Sequence, residues 1–407
     1  MRPGPMLSGN QRRFNPKLGL PHPAGSTSAA APGTPTPAAA PLWPAPLPSR
    51  APVAPAAPPR PVPTPPATAA TRPKPRPRKP PPPALPSPAI ELTLDAPSPD
   101  APWTLRAKNT GDVPLRLTAD GRIAALDVTL PGAHKGARPI RCELPADMRP
   151  ADDDDRELVV PPGRTYAEKI DARLFCFGAH DAAALVPGAS VVPRLVGSHD
   201  VPVVAPVDDG TATLATLTEL TGAATTIGPA LPSTKDTSHA RPLTLGSPAF
   251  VDAERAPDAA VTITAKNDTS APLSFLFRPE TIALDVMGPS GIGVTDPSPT
   301  VRCAWQGASP APIRELFSQL PPKATDSLTI LPSALCPDGT FDQPGLYLVR
   351  GRLDTRRTSG ASIGLHTLNA EVAGEGATRL RVRAPTNMPK PLPKPQLEPL
   401  PATPAAP

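Results

Sequence analysis

The chain has 407 residues, but 69 prolines and only 3% aromatic residues mean that a large part of it cannot form a hydrophobic core. Its formal net charge is +5, and no run of about 18 apolar residues occurs, which excludes a transmembrane α-helix. The N-terminal residues contain no continuous apolar segment followed by a small-residue cleavage site, so we expect no secretory signal.

Residues 1–88 are predicted to form a disordered, basic tail that is rich in proline and alanine. They hold 29 prolines and 11 lysines and arginines, whereas the first acidic residue of the chain is Glu91. Proline lacks a backbone donor and fixes φ near the polyproline value, so this composition favours an extended, solvated chain. The other residues carry 30 basic and 36 acidic side chains, so the positive net charge comes from the tail.

The densest basic cluster in this tail supplies the candidate polyanion-binding residues, which are Arg72, Lys74, Arg76, Arg78 and Lys79. Alternation with proline places these charges on a stiff chain that could contact an anionic polymer or surface in a salt-dependent manner. No aromatic residue interleaves them, so base stacking and specific nucleic-acid binding are not expected. The alternative is that the charges only keep a proline-rich linker soluble and extended.

An internal repeat organises the rest of the chain. The matching segments, each 158 residues apart, are Ala-Lys-Asn at 107–109 and 265–267, Ala-Leu-Asp-Val at 125–128 and 283–286, and Arg-Glu-Leu at 156–158 and 314–316. Around these motifs, apolar and polar residues alternate, and clusters of Asn, Asp, Gly and Pro separate the alternating segments as turn signals. Helical periodicity is scarce, so the pattern predicts short antiparallel strands in two related copies.

These patterns predict an all-β protein made of two tandem immunoglobulin-like antiparallel β-sandwiches with long disordered proline-rich tails. The predicted segments are a basic tail at 1–88, a first copy at 89–206, a Thr/Ala/Pro linker at 207–240, a second copy at 241–383 and a proline-rich tail at 384–407. Alternation at 211–220 makes this part of the linker a possible terminal strand of the first copy. The linker is expected to leave the two copies free to move.

The order of these motifs resembles that of bacterial immunoglobulin-like domains. Each copy has a strand that ends in Lys-Asn, then a turn, Pro-Leu and Leu-Asp-Val, and the second copy continues to Pro-Ser-Gly at 289–291. More narrowly, the opening half of each copy, and residues 261–291 in particular, is similar to the domain named after the intracellular proteinase inhibitor of bacilli. The resemblance implies a sandwich fold. Inhibitory activity is not implied, because the later half of each copy departs from that family's pattern at its two cysteines.

The four cysteines are the strongest site signal, because each copy holds two of them at nearly equal separation. Cys142 and Cys176 are 34 residues apart, and Cys303 and Cys336 are 33 residues apart. This spacing predicts one disulfide within each copy. Buried free thiols are the alternative, and a zinc site is not expected because no Cys-x-x-Cys occurs. Disulfides would favour an extracytoplasmic location, either the cell envelope or secretion, and the cytoplasm stays open because no signal peptide is visible.

No motif predicts catalysis, a cofactor or a metal site. Residues 360–364 match the G-x-S-x-G nucleophile motif by letters, but the motif needs a preceding strand, a following helix, and then an acid followed by a histidine. Here basic residues precede it, a strand-like segment follows it, and His366, two residues after Gly364, is the only later histidine. The aspartates at 152–155 could offer oxygen ligands to calcium, but four adjacent acids cannot converge on one ion, so a solvated loop is expected. We therefore expect a protein that is not an enzyme.

The leading functional hypothesis is a non-catalytic binding or structural module of the bacterial cell envelope, tethered or spaced by its cationic proline-rich tail. Its partner would be an unknown protein or envelope polymer, with possible contact between the tail and an anionic surface. Two alternatives are a proteinase-inhibitor-like sandwich protein and a cytoplasmic scaffold that binds anionic polymer through the tail.

Overall fold

A computed structural model of the protein describes residues 83–150, 154–197, 201–207, 213–231, 242–291, 299–308, 311–356, 358–386 and 391–400. The basic cluster at 72–79 lies outside these residues, as do two of the four aspartates at 152–155. Strands dominate the described residues, and their helices are one turn long, which confirms the all-β class. None of the described helices is long and apolar enough to cross a membrane.

Repeat 1, which comprises residues 90–227, begins with the first described strand and ends beside it in the core. Its strands are β1 (Ile90–Asp95), β2 (Trp103–Asn109), β3 (Leu115–Thr118), β4 (Ala124–Thr129), β5 (Ile140–Glu143), β6 (Glu157–Val160), β7 (Thr165–Ile170), β8 (Ser190–Val196), β9 (Val204–Pro206), β10 (Glu219–Thr221) and β11 (Thr225–Thr226). Its helices are α1 (Ala172–Phe175), α2 (Ala179–Ala182) and 3-10 turns at Gly121–Ile123, Ala146–Met148 and Asp154–Arg156.

Repeat 2 comprises residues 243–384 and follows the same plan. Its strands are β12 (Leu243–Gly246), β13 (Phe250–Arg255), β14 (Val261–Asn267), β15 (Leu273–Leu276), β16 (Ile282–Ser290), β17 (Val301–Ala304), β18 (Phe317–Leu320), β19 (Thr325–Ile330), β20 (Gly345–Asp354), β21 (Glu371–Ala373) and β22 (Thr378–Ala384). Its helices are α3 (Pro332–Leu335) and 3-10 turns at Ala256–Asp258, Pro279–Thr281, Arg314–Leu316 and Ala361–Ile363.

The described strands of each repeat form a small antiparallel sheet, a larger sheet and a side sheet. In repeat 1 the strand orders are β1-β2-β7, β10-β8-β4-β5 and β6-β3-β9, with β11 also on β8. In repeat 2 they are β12-β14-β19, β13-β22-β20-β16-β17 and β15-β18, with β21 also on β20. Buried apolar side chains from the small and the large sheet form one cluster per repeat. The core therefore lies between two sheets, in a β-sandwich-like arrangement.

A buried asparagine explains why Ala-Lys-Asn recurs. Asn109 ends β2, Asn267 ends β14, and both are 0% exposed. The amide nitrogen of Asn109 donates to the carbonyl of Val113 at 2.7 Å and to that of Val160 at 2.9 Å, and Asn267 makes the equivalent pair of bonds. Each asparagine thus joins the turn after its own strand to the end of β6 or β18. These bonds satisfy the hydrogen-bonding groups of a buried polar side chain.

Part of the predicted linker belongs to repeat 1. β10 and β11 both pair antiparallel with β8, and Leu220 and Ile227 are 6% and 1% exposed in the core. The linker prediction over 207–240 is therefore wrong for residues 219–227. The possible terminal strand expected at 211–220 appears only from Glu219 onward, as β10, and Leu217 before it forms an isolated antiparallel bridge with Val204.

The structure contains both predicted disulfides. Cys142 bonds to Cys176 with a Cα–Cα distance of 4.7 Å, and Cys303 bonds to Cys336 with a Cα–Cα distance of 4.3 Å. In each repeat the bond joins an edge strand, β5 or β17, to the residue that ends the helix after β7 or β19. All four cysteines are bonded, so the free-thiol alternative does not hold.

Candidate binding site

The two repeats pack directly against each other. The rings of Phe177 and Phe250 lie 5.4 Å apart in an edge-to-face arrangement, and the guanidinium of Arg381 lies 4.2 Å from the centroid of the Phe177 ring. Across the same junction, the hydroxyl of Ser290 donates to the carboxylate of Asp171 at 2.6 Å. The expectation that the linker leaves the copies free to move is therefore wrong, because these side chains form a junction that hydrophobic periodicity does not reveal.

A cleft of about 450 Å³ lies where the repeats meet. Its walls come from loops of repeat 1, from strand ends of repeat 2 and from the C-terminal segment, which we define as residues 391–400. The apolar part of the wall consists of Leu144, Met148, Leu174, Pro289, Pro344, Ala384, Pro385, Pro391 and Leu392. The bond between Cys142 and Cys176 ties β5 to α1, so it holds Leu144 and Leu174 in place on two sides of the cleft.

Cationic side chains outnumber carboxylates on the cleft wall. The charged lining consists of Arg122, Arg149, Arg156, Arg383 and Lys394, with Asp147 and Asp155. Arg122 pairs at 2.6 Å with Asp120, whose side chain is buried, and Arg383 reaches from repeat 2 to Asp147 of repeat 1 at 3.3 Å. Lys394 forms no ion pair with the described residues. Nitrogen donors beside apolar walls suit an anionic group on a partly apolar ligand.

The C-terminal segment runs along β7, at the edge of its sheet. The amide of Glu398 donates to the carbonyl of Thr165 at 2.8 Å, and Leu397 forms an antiparallel bridge with Tyr166. The side chain of Leu397 packs against the core of repeat 1. The prediction of a disordered tail at 384–407 is therefore wrong for residues 391–400. The proline-rich composition gave no indication of this contact, because the segment forms no regular secondary structure. Three arginines instead bind its carbonyls and a carboxylate.

Two of these arginines hold Glu398. The Nε of Arg106 lies 3.0 Å from its carboxylate, and Arg164 donates to its backbone carbonyl at 2.9 Å. Arg106 and the Glu398 side chain are 36% and 40% exposed, so water screens this ion pair.

The third arginine is buried beneath the segment. Arg156 is 3% exposed, and it donates to the carbonyl of Pro393 at 2.5 Å and to the carboxylate of Glu168 at 2.6 Å. Glu168 also accepts from the hydroxyl of Tyr166 and from the amide of Gly121. Burial raises the pKa of Glu168, although the charge of Arg156 opposes this. Burial and the Glu168 carboxylate raise the pKa of Tyr166 well above its ordinary value, so its hydroxyl stays a donor.

The side chains that contact the segment in repeat 1 are different in repeat 2. Equivalent positions of the two repeats follow from the strand registers and from the turn that follows both β6 and β18. A residue of β2 corresponds to the residue 158 positions later in β14. A residue of β7, or one just before β6, corresponds to the residue 160 positions later. The equivalent pairs are Arg106 and Thr264, Arg156 and Leu316, Arg164 and Ala324, Tyr166 and Asp326, and Glu168 and Leu328. The recurring Arg-Glu-Leu tripeptides are therefore two residues out of structural register, and only repeat 1 carries this set of contacts.

The other predicted sites do not meet at the cleft. The disulfide cysteines support its walls but do not line it. Residues 360–364 form a short 3-10 turn between β20 and β21, so the interpretation as a loop is confirmed. Within the described ranges no group of three or more His, Cys, Asp or Glu side chains could hold a metal ion.

None of the residues that bind the C-terminal segment was predicted from the sequence. A signal was available in the comparison of the two copies. Pro-Pro at 161–162 recurs at 321–322, which fixes an offset of 160 for the strand that follows. At that offset the first copy has Arg164, Tyr166 and Glu168, whereas the second copy has small, acidic or aliphatic residues.

No protein-family model matches the sequence, and no curated protein matches it. Among solved structures, a red sea bream transglutaminase is 11% identical over 72% of this chain and 31% of that chain, with a TM-score of 0.18. Beta-glucuronidase 2 of Bacteroides uniformis is 16% identical over 67% of this chain and 26% of that chain, with a TM-score of 0.14. The chain thus spans less than a third of either protein, and at these TM-scores the likeness carries no information on fold or activity.

Proposed function

We propose that this chain is a non-catalytic binding module of the bacterial cell envelope, in which two immunoglobulin-like sandwiches hold an acidic, partly apolar segment of a partner protein in the cleft between them. The composition of the cleft wall carries this proposal. Five cationic side chains and two carboxylates surround an apolar floor in a volume of about 450 Å³, which can accommodate a few residues of an extended chain.

The strand order supports the immunoglobulin-like part of the proposal. Such sandwiches place strands A, B and E on one sheet and strands G, F, C and C′ on the other. The orders β1-β2-β7 and β10-β8-β4-β5 follow that plan in repeat 1, and β12-β14-β19 and β22-β20-β16-β17 follow it in repeat 2. The side sheets β6-β3-β9 and β15-β18 are additions to it, and so is β13, which pairs in parallel with β22 in repeat 2.

The paired cysteines support a place in the cell envelope, because disulfides persist in oxidising compartments. In this setting the basic cluster at 72–79 would act as a tether to anionic polymer or lipid.

The chemistry of the lining favours binding over catalysis. Ser290 is the hydroxyl residue among the described side chains of the cleft, and its hydroxyl donates to Asp171, which already pairs with Arg173 at 2.7 Å. The described lining includes no histidine or cysteine. The Asp171 carboxylate is neutralised by Arg173, so it is a poor base for Ser290. Among the cleft cations, Arg149 pairs with Glu143 at 2.8 Å, whereas Lys394 forms no ion pair with the described residues and is the donor most available to an anion.

A charge-reversal experiment on the intact chain tests this function. A fluorescent glutamate-rich decapeptide is titrated by anisotropy against the wild type and the double variant Arg149→Glu/Lys394→Glu. The matched control, Arg255→Glu/Lys266→Glu, makes the same change in net charge on exposed strands of repeat 2. We expect the cleft variant to bind at least tenfold more weakly than the control. Equal affinities of the two variants would show that the peptide binds elsewhere, for example to the basic tail, and would contradict the proposal.

A further inference from the structure

We propose that the β7 edge of repeat 1 is a docking site for a proline-rich segment of a partner protein, and that the chain's own C-terminal segment occupies this site as a competitor. This site adjoins the cleft: Arg156 contacts both, and Leu392 and Lys394 of the bound segment form part of the cleft wall. The residues that build it are Arg106, Arg156, Arg164, Thr165 and Tyr166.

The hydrogen-bond donors of this site suit a ligand chain that has few backbone N–H groups. Pro393 and Pro395 lack an N–H, so the segment can offer carbonyls but not a regular ladder of backbone donors. The protein supplies the donors instead, through Arg156 to the carbonyl of Pro393 and Arg164 to that of Glu398. A proline-rich peptide is already extended in solution, so it loses little conformational entropy on docking.

Three features of the bound segment define the partner. The carbonyl of Pro393 meets a buried arginine, Leu397 packs against the core four residues later, and the Glu398 carboxylate meets Arg106 one residue after that. A single antiparallel bridge between Leu397 and Tyr166 sets the register. The site therefore fits an extended proline-rich peptide that contains a Leu-Glu pair after its prolines.

The basic N-terminal tail does not fit this description, because it contains no acidic residue before Glu91. Repeat 2 does not fit as a second receptor either. At the equivalent places it has Thr264 and Ala324 in place of the two arginines that hold Glu398, and the corresponding positions of β19 are more exposed than those of β7.

Part of the contact between the segment and repeat 1 is exposed to solvent. Most of the segment's prolines, together with Lys394 and Gln396, are exposed, and the ion pair between Arg106 and Glu398 is screened by water. A tethered ligand nevertheless acts at an effective concentration on the order of 1 mM, so a free peptide competes poorly with the intact segment. Substitutions that weaken the contacts of the C-terminal segment with repeat 1 should therefore strengthen the binding of a separate peptide with the segment's native sequence.

A full-length variant, Leu397→Ala/Glu398→Ala, opens the site without shortening the chain. A fluorescein-labelled peptide with the sequence of residues 391–400 is titrated against the wild type and this variant by anisotropy. We expect at least tenfold tighter binding to the variant, and no measurable binding of a peptide in which the same Leu and Glu are alanine. Equal affinity for wild type and variant would show that the C-terminal segment does not compete with the peptide. If the variant keeps its circular dichroism spectrum but does not bind the peptide, the β7 edge is not a docking site.

Substitutions taken from repeat 2 locate the binding. In the Leu397→Ala/Glu398→Ala chain, the further changes Arg106→Thr and Arg164→Ala install the repeat 2 residues and should weaken peptide binding at least tenfold. The control change Thr264→Ala, at the equivalent position of repeat 2, should leave affinity unchanged. If the double change unfolds the protein, Arg106→Thr alone replaces it. Unchanged binding after loss of these arginines would show that the peptide does not dock on the β7 edge.

Discussion

Replacing Asn267 with alanine is expected to destabilise repeat 2 by about 3 kcal/mol. The amide nitrogen of Asn267 donates to the carbonyls of Ala271 and Leu320 at 2.8 and 3.0 Å, and its Oδ1 accepts from the amide of Thr269 at 2.9 Å. The side chain is 0% exposed, so water cannot replace these bonds while the strand ends stay packed. A net hydrogen bond is worth about 1 kcal/mol, and each buried group left unpaired costs roughly 1–3 kcal/mol.

Urea unfolding followed by circular dichroism measures this loss. Asn109→Ala is the matched variant in repeat 1 and should lose a similar free energy of unfolding, because Asn109 makes the three corresponding bonds, to Val113, Val160 and Gly111. Lys266→Ala, at the exposed neighbour on β14, is the control and should change stability by no more than about 0.5 kcal/mol. A loss below about 1 kcal/mol for both asparagine variants would refute the idea that these side chains hold the turns.

Three further changes probe the disulfides, the junction and the acid response. Cys303→Ser should leave Cys336 as the alkylatable thiol and lower the unfolding free energy by about 3–4 kcal/mol, as expected for a loop of 33 residues; an unreactive Cys336, or alkylation of Cys142 or Cys176, would be inconsistent with the pairing. Phe177→Ala should remove roughly 1–3 kcal/mol of coupling between the repeats, seen in calorimetry as separate unfolding transitions where the wild type has one; an unchanged thermogram would count against the junction. Partial burial alone would raise the pKa of Asp252, but hydrogen bonds from Arg381 and Arg383 outweigh it and lower the pKa. Ionised Asp252 therefore contributes to the free energy of unfolding in full above its ordinary pKa of 3.8. This contribution is lost as the pH falls below 3.8 and through the lower pKa of the folded state. The stability gap between wild type and Asp252→Asn should narrow below pH 3.8, and a constant gap would contradict this assignment.

Local signals in the sequence predicted much of the fold. Apolar alternation marks β2 and β14, where Leu105 and Ile263 face the core, and the repeated Asn marks the turns that follow. Equal cysteine spacing predicted both disulfides, because an edge strand and the end of a short helix keep the same separation in each copy. These features depend on residues close in sequence or on a comparison of the two copies.

The candidate sites could not be predicted in the same way, because they depend on contacts between distant segments. Arg156 and Pro393 lie 237 residues apart, and neither belongs to a periodic pattern. The cleft exists because Phe177, Phe250 and Arg381 bring the repeats together, and a composition of proline, threonine and alanine suggested only a linker between them. Proline-rich sequence predicts extension, but it does not say whether the extended chain has a surface to lie on.

Amide hydrogen exchange at Glu398 in the intact protein tests most directly whether the C-terminal segment is part of the binding unit. The amide of Glu398 donates to the carbonyl of Thr165, so it should exchange at least tenfold more slowly than in the free peptide of residues 391–400. Unlabelled peptide should reduce this protection only at concentrations above about 1 mM, because the tethered segment acts at an effective concentration of that order. Exchange at the rate of the free peptide, before any competitor is added, would contradict the docking of the segment on repeat 1.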